Sequence, residues 1–292
     1  MQDWTTIDTN ISACLGRNFK TTHKQGVSGG CINSAWQIWD DYNVFFVKLN
    51  STHRREMFEA EFEGLQALYA SHSIRAPEPM VCGVDDHHAY LVTEFITMNQ
   101  SAPPELLGEQ LAALHRCTAA QYGWHRDNTI GSTPQRNTQN GDWAAFWRSQ
   151  RLLPQLRLAE ENGYASELME PGQRLCEALP AFFAGHTPPA SLLHGDLWSG
   201  NISGSDGQPV IFDPAVYYGD RETDLAMTEL FGGLPRTFYD AYNAAWPLES
   251  GYSVRKKLYN LYHILNHLNL FGGGYHRQCV MMLHSLLAET KA

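Results

Sequence analysis

Apolar and polar positions change their period along this chain, and the changes predict its elements. Two runs near the N-terminus, Ala35-Trp36-Gln37-Ile38-Trp39 and Val44-Phe45-Phe46-Val47-Lys48-Leu49, are short, apolar and β-rich, which predicts strands. From Met57 to Tyr69 the spacing becomes helical: Phe58, Phe62, Leu65 and Leu68 or Tyr69 share one stripe, with Glu61 set against it. A strand pattern returns from Ala89 to Ile96. Pro103-Pro104 then breaks the chain before a predicted helix from Glu105 to Tyr122. The remainder is mostly helical, interrupted by a polar loop and the strand Val210-Ile211-Phe212. These elements divide into a small strand-rich part, residues 1–97, and a larger helical part, residues 98–292; the class is α+β, with no repeat and no low-complexity segment.

Candidate chemistry concentrates between Leu193 and Pro214, in LHGDLWSGNISGSDGQPVIFDP. Asp196 precedes Asn201 by five residues, and the polar turn GSDG leads into an apolar strand that ends in Asp213. The protein-kinase signature has the same order: a loop Asp as base, an Asn as metal ligand, then a strand carrying a metal-binding Asp. A transferring phosphoryl group carries several negative charges, so its metal ions need hard oxygen donors, which Asn201 and Asp213 supply. Asp196 then remains free of metal and can accept the proton of an attacking hydroxyl. Any one of these residues alone would be an ordinary turn residue; the order on a loop-turn-strand frame points to phosphoryl transfer from ATP with Mg²⁺.

The upstream pattern supplies the other parts that such chemistry needs. Lys48 near the end of its strand is placed to hold the α- and β-phosphates, and Glu61, a carboxylate beside a buried stripe, needs a cationic partner that Lys48 provides. Glu56, Glu59 and Glu63 are expected on a solvated face. Before the Lys48 strand, Gly29 and Gly30 lie in a loop where backbone N–H groups can approach phosphate oxygens without an intervening Cβ. After the strand at 89–96, the backbone around Glu94, Phe95 and Ile96 is the expected seat for adenine.

Several tokens resemble the fructosamine kinase (ketosamine 3-kinase) family: FFVKLN from Phe45, MFEAEFEGL from Met57, GSTPQRN from Gly131, HGDLWSGN from His194, DPAVYYGDRETDLAMTELFGG from Asp213 and LYHILNHLNLFGGGY from Leu261. They run from about residue 25 to nearly the C-terminus. The resemblance implies a two-lobed protein-kinase-like fold, related to aminoglycoside and choline kinases. It also implies a ketosamine acceptor, either a small molecule or a glycated protein amine, phosphorylated on its 3-hydroxyl in a way that promotes deglycation. Trp198, Tyr217, Trp143 and Trp147 are aromatics that could stack on a sugar or its amine. Pro214-Ala215 stands where protein kinases have Phe-Gly, and proline fixes φ there, which argues against a flipping segment. Asp224 resembles the kinase-fold acid that anchors the catalytic loop, and His194 is expected to brace that loop. His115, His263 and His267 are expected to pack between helices.

Composition narrows the setting. A net charge of -10 disfavours nucleic acid as a partner, and no apolar run is long enough to span a bilayer, so no membrane partner is expected. With no basic, apolar leader at the N-terminus, a cytoplasmic location follows as the expectation. The six cysteines lack CxxC pairs, which argues against a zinc site or a disulfide framework. Cys31, within the glycine-rich loop, could join two copies by an intermolecular disulfide, so the chain is expected as a monomer or a redox-dependent dimer. Two alternatives stay open on the residues alone: a kinase for another small molecule such as an aminoglycoside, choline or homoserine, and a pseudokinase scaffold. The second usually lacks one of the Lys, base Asp or metal Asp, and all three are present.

Overall fold

The strand patterns of the N-terminal part fold into one antiparallel sheet. The computed structural model describes residues 4–27 and 33–290. Helix α1 (Thr5–Leu15) precedes β1 (His23–Val27), β2 (Ser34–Trp39) and β3 (Val44–Ser51); helix α2 (Arg55–Ala70) follows, then β4 (Pro79–Val84) and β5 (His88–Glu94). The sheet order is β1-β2-β3-β5-β4. Side chains alternate across it with period two. Phe45, Val47, Leu49, Tyr90 and Val92 point to one face and pack against Ile7, Ile11 and Phe19. Ala89 and Leu91 point to the other and meet Met57, Phe58 and Leu65 of α2. Lys48 lies opposite Leu91 in the ladder, so it emerges on the α2 face. That register is what aims the ammonium at Glu61.

The rest of the chain is dominated by helices. It runs α3 (Pro104–His115), β6 (Thr118–Ala119), β7 (Asn128–Ile130), β8 (Thr133–Gln135), α4 (Trp143–Phe146), α5 (Leu153–Glu161), α6 (Ala165–Phe182), β9 (Ala190–Leu193), β10 (Ile202–Ser205), β11 (Gln208–Ile211), β12 (Tyr217–Gly219), α7 (Glu222–Leu230), α8 (Arg236–Ala245), α9 (Tyr252–Phe271) and α10 (His276–Glu289). A π-helical turn, Trp147–Leu152, joins α4 to α5. The helix expected to reach Tyr122 stops at His115, because Thr118-Ala119 pair instead with Ser191-Ala190 of β9. Tertiary pairing overrides helix propensity at that point. Strand β9 is buried along its whole length between β6 and β12, and it delivers the chain into the loop that starts at His194. Among the described residues no helix is long and apolar enough to cross a membrane, and Cys14, Cys82, Cys117, Cys176 and Cys279 are free thiols.

Candidate functional site

The loop after β9 is held from beneath. Asp224, fully buried near the start of α7, accepts hydrogen bonds from the main-chain N–H groups of His194 (2.7 Å) and Gly195 (2.9 Å). His115 Nε2 lies 3.2 Å from the same carboxylate, and its Nδ1 meets the Tyr242 hydroxyl at 2.8 Å. Burial opposes ionisation of Asp224, but His115 and the loop donors outweigh it and hold the carboxyl below its ordinary value. His194 braces the loop as expected, with Nε2 2.9 Å from the Phe212 carbonyl. Gly195 sits at φ +83°, and a Cβ there would lie 2.0 Å from the Ala215 carbonyl oxygen. Only glycine fits that turn.

This bracing leaves Asp196 at the bottom of a cleft. Burial pushes its carboxyl up to about 7; the charges of Asp213 and Asp224 add to the effect and a bond from Asn201 opposes it. Asn201 directs its amide nitrogen to the Asp196 carbonyl at 2.8 Å, and its Oδ1 receives no donor among the described residues. Asp213 stands at φ +55° at the end of the β10–β11 hairpin, with its side chain 48% exposed to the cleft. Lys48 Nζ bridges two carboxylates, 2.5 Å from Glu61 Oε1 and 2.7 Å from Asp213 Oδ1. Burial alone would depress the ammonium; the Asp213 and Glu61 charges more than offset it and hold the pKa above the ordinary lysine value.

Two cavities meet at these groups. One, about 640 Å³, is lined by Val27, Lys48, Glu94, Phe95, Ile96 and Asp213 among others, so the residues expected around adenine do line a mostly apolar space. The second, about 260 Å³, is lined by Asp196 and shares Lys48, Glu61, Trp198, Asn201 and Asp213 with the first. It is walled by Asn128, Ile130 and Gly131 from β7 and its turn, and by Asn266, His267 and Phe271 from α9. Those wall residues were not singled out as site residues from the sequence. Gly131, Asn266, His267 and Phe271 fall within the GSTPQRN and LYHILNHLNLFGGGY tokens, whereas Asn128 and Ile130 lie outside every token. His267 was expected to pack between helices; it does contact Phe231 and Tyr275, yet it also faces this cavity. His263 is packed, with burial taking its pKa down to about 3.

Three expectations on aromatic residues are corrected. Tyr217 is buried, and the Arg151 guanidinium lies 3.9 Å from its ring centre, so it offers no face to a sugar. Trp143 and Trp147 are equally enclosed in the helical core. Trp198 alone of the four is open, 38% exposed between the two cavities. Glu59 and Glu63 are not simply solvated either: Glu63 accepts from Arg126 Nη1 at 2.8 Å, and Glu59 lies 3.7 Å from the same guanidinium. Gly29, Gly30 and Cys31 lie outside the described residues.

The fructosamine kinase family model matches residues 3–289. A protein named "Probable ketoamine kinase" from Synechocystis sp. is 46% identical over 288 residues, 97% of both chains. The chloroplastic protein-ribulosamine 3-kinase of Oryza sativa subsp. indica is 42% identical over 284 residues, 95% of this chain and 82% of that one. A crystal structure named "Putative fructosamine-3-kinase" from Haemophilus somnus 129PT superposes with a TM-score of 0.90 at 30% identity, over 97% of both chains. At 14% identity a choline kinase from Streptococcus pneumoniae still superposes with a TM-score of 0.62 over 98% of both chains, which places the architecture among protein-kinase-like folds. This chain belongs to the fructosamine kinase family.

Proposed function

We propose that the chain is an ATP-dependent kinase that phosphorylates the 3-hydroxyl of ketosamines, with fructose- or ribulose-derived sugars carried on small amines or on glycated protein lysines. Relatives named for ketoamine and ribulosamine phosphorylation over nearly the whole chain support the acceptor class. The observation that carries the reading is the convergence of Asp196, Asn201, Asp213 and Lys48 where the two cavities meet. The chain's likeness to aminoglycoside and choline kinases is one of fold, so it does not favour those acceptors.

The donors fit a hard cation: among the described residues the Asn201 carboxamide oxygen receives no donor, and the half-exposed Asp213 carboxylate has a second oxygen that takes no hydrogen bond. Asn201 and Asp213 would hold Mg²⁺, which when bound neutralises charge on the phosphates. Lys48, kept protonated by its two carboxylates, binds the α- and β-phosphates, and Glu61 fixes its direction. Glu94, Phe95 and Ile96 seat the adenine. Asp196 accepts the proton of the C3 hydroxyl as that oxygen bonds to the γ-phosphorus and the bridge to the β-phosphate breaks, releasing ADP. A carboxyl raised to about 7 is a stronger base than an ordinary aspartate and is still ionised in good part near neutral pH. Trp198 stacks on the acceptor where it stands open between the cavities.

The phosphate on C3 is β to the C1 hydrogens beside the C2 carbonyl. Loss of a C1 proton gives an enaminol, with nitrogen on C1 and the hydroxyl on C2, whose electrons expel inorganic phosphate from C3; water then releases the amine from a 3-deoxy dicarbonyl sugar. The activity therefore returns the amine unmodified, a deglycation, in a setting we place in the cytoplasm. The test follows ADP over fructose- and ribulose-linked amines, an aminoglycoside and choline. ADP with a ketosamine, followed by slow release of phosphate and amine, is expected; ADP only with an aminoglycoside or choline, or a phosphoketosamine that persists, overturns the assignment.

A further inference from the structure

The segment from Gly123 to Asn137 has no chemical role in the reaction above, yet it touches two of the three elements around the Lys48–Glu61–Asp213 cluster, α2 and the stretch that follows Asp213. On one side lies α2. His125 Nε2 is 2.6 Å from Glu63 Oε2, Arg126 Nη1 donates to Glu63 Oε1 at 2.8 Å, and Arg126 Nη2 is 3.7 Å from Glu59. Glu59 and Glu63 stand two residues on either side of Glu61. On the other side lies the stretch just after Asp213. Gln135 Nε2 donates to the Ala215 carbonyl at 3.1 Å, Asn128 Nδ2 donates to the Val216 carbonyl at 2.8 Å, and Gly123 exchanges main-chain bonds with Tyr218 at 2.8 and 2.9 Å.

The segment is itself made stiff by an unusual charge. Asn128 Oδ1 accepts from both Gln135 and Asn137, and Asn137 Oδ1 accepts from Arg151 Nη2 at 2.8 Å. Arg151 is fully buried, and among the described residues no carboxylate pairs with it. Its other bonds go to the carbonyls of Arg136 and Gln150, and its plane rests on Tyr217. A buried cation without a counter-charge is costly; carbonyls, an amide and a ring replace part of its water, while its Nε has no hydrogen-bond partner among the described residues. The two sides also meet directly: a Cβ on Gly64 of α2 would lie 3.1 Å from a Val216 methyl.

We infer that residues 123–137 are a bracket that fixes α2 against the strand after Asp213, with Arg126 and Gln135 as positioning residues for nucleotide binding. In protein kinases the corresponding helix and segment are placed by phosphorylation of a mobile loop. Here uncharged amides and one partly buried ion-pair cluster hold them, and Pro214 limits the backbone directly after Asp213. The inference rests on the kinase reading, so its test uses binding of the nucleotide product, which needs no acceptor.

MgADP is titrated calorimetrically into wild type, Arg126→Met, Arg126→Lys and Gln135→Met, with Tm measured for each. Arg126 is only partly buried and its ion pair contributes little to stability, so Arg126→Met is expected to move Tm by less than about 2 °C. The same change is expected to weaken MgADP by about 5-fold or more, the usual floor of a coupling between sites. Arg126→Lys should recover most of the loss, and Gln135→Met should weaken binding while also lowering Tm. An Arg126→Met affinity within about 2-fold of wild type, where coupling would give more, overturns the bracket. A wild type that binds no MgADP overturns the kinase reading as well, and the two failures are therefore distinct.

Discussion

The loop Leu193–Asn201 and the stretch Asp213–Tyr217 lie side by side, joined by the bond from Ala215 N–H to the His194 carbonyl and by the pairing of Tyr217 with Leu193. They nevertheless present their carboxylates in opposite conditions. Asp196 is enclosed, faces two other negative charges and holds its proton up to about 7. Asp213 is half-exposed and touches an ammonium. The same side chain is thereby divided between two roles by burial and partner, one suited to a proton and the other to a cation. The braces differ too. Asp224 and His115 fix the loop from the core, whereas the bracket at 123–137 fixes the neighbouring stretch from its flank.

The contrast breaks most severely if Asp196 is neutralised. Asp196→Asn is expected to lower kcat by about 10² to 10⁴ with MgATP affinity within a few fold, since it removes the proton acceptor and leaves the metal donors in place. Near wild-type turnover would refute the base assignment. Asp213→Asn should do the reverse, weakening metal-dependent nucleotide binding by about 10-fold or more. An unchanged Mg²⁺ dependence would remove Asp213 from the metal site.

A pH series sharpens the same comparison. With Asp196 protonated below about 7, kcat/KM should fall tenfold per pH unit on the acid side. For stability the sign runs the other way. The folded chain holds this proton at pH values where the unfolded chain has released it, so stability declines as pH rises from the ordinary carboxylate range to about 7. Asp196→Asn removes that penalty; its Tm should exceed the wild-type value by a few degrees, about 2 to 6 °C, at pH 8 and converge with it near pH 4. Equal Tm curves at all pH values would show that Asp196 is not held neutral by burial.

Much of this was visible in the one-dimensional pattern. Lys48 on a strand and Glu61 on a helical stripe implied their ion pair, because a carboxylate beside buried leucines needs a cation and the period of each element shows which way its side chains point. The HGD loop and the strand ending in Asp213 implied a cation and a base for a similar reason. What escaped were residues whose role depends on neighbours distant in sequence. Glu63 looked solvated because Arg126 lies far along the chain. Tyr217 looked like a candidate sugar platform because nothing in its own segment announces that Arg151 covers its ring. The end of α3 was misplaced for the same cause, a strand partner in β9.

The amino-acid order by itself determined the strands at 35–39, 44–49 and 89–96, the helix of α2, the spacing of Asp196, Asn201 and Asp213, and the pairing of Lys48 with Glu61, since these follow from local periodicity and from charges near one another along the elements. Only the tertiary structure decided which aspartate is enclosed and which is open, which aromatics face the cleft, and what fixes α2 to the strand after Asp213. Solvent exposure and electrostatic environment are properties of the packed surroundings. No segment carries them until distant segments have been brought against it.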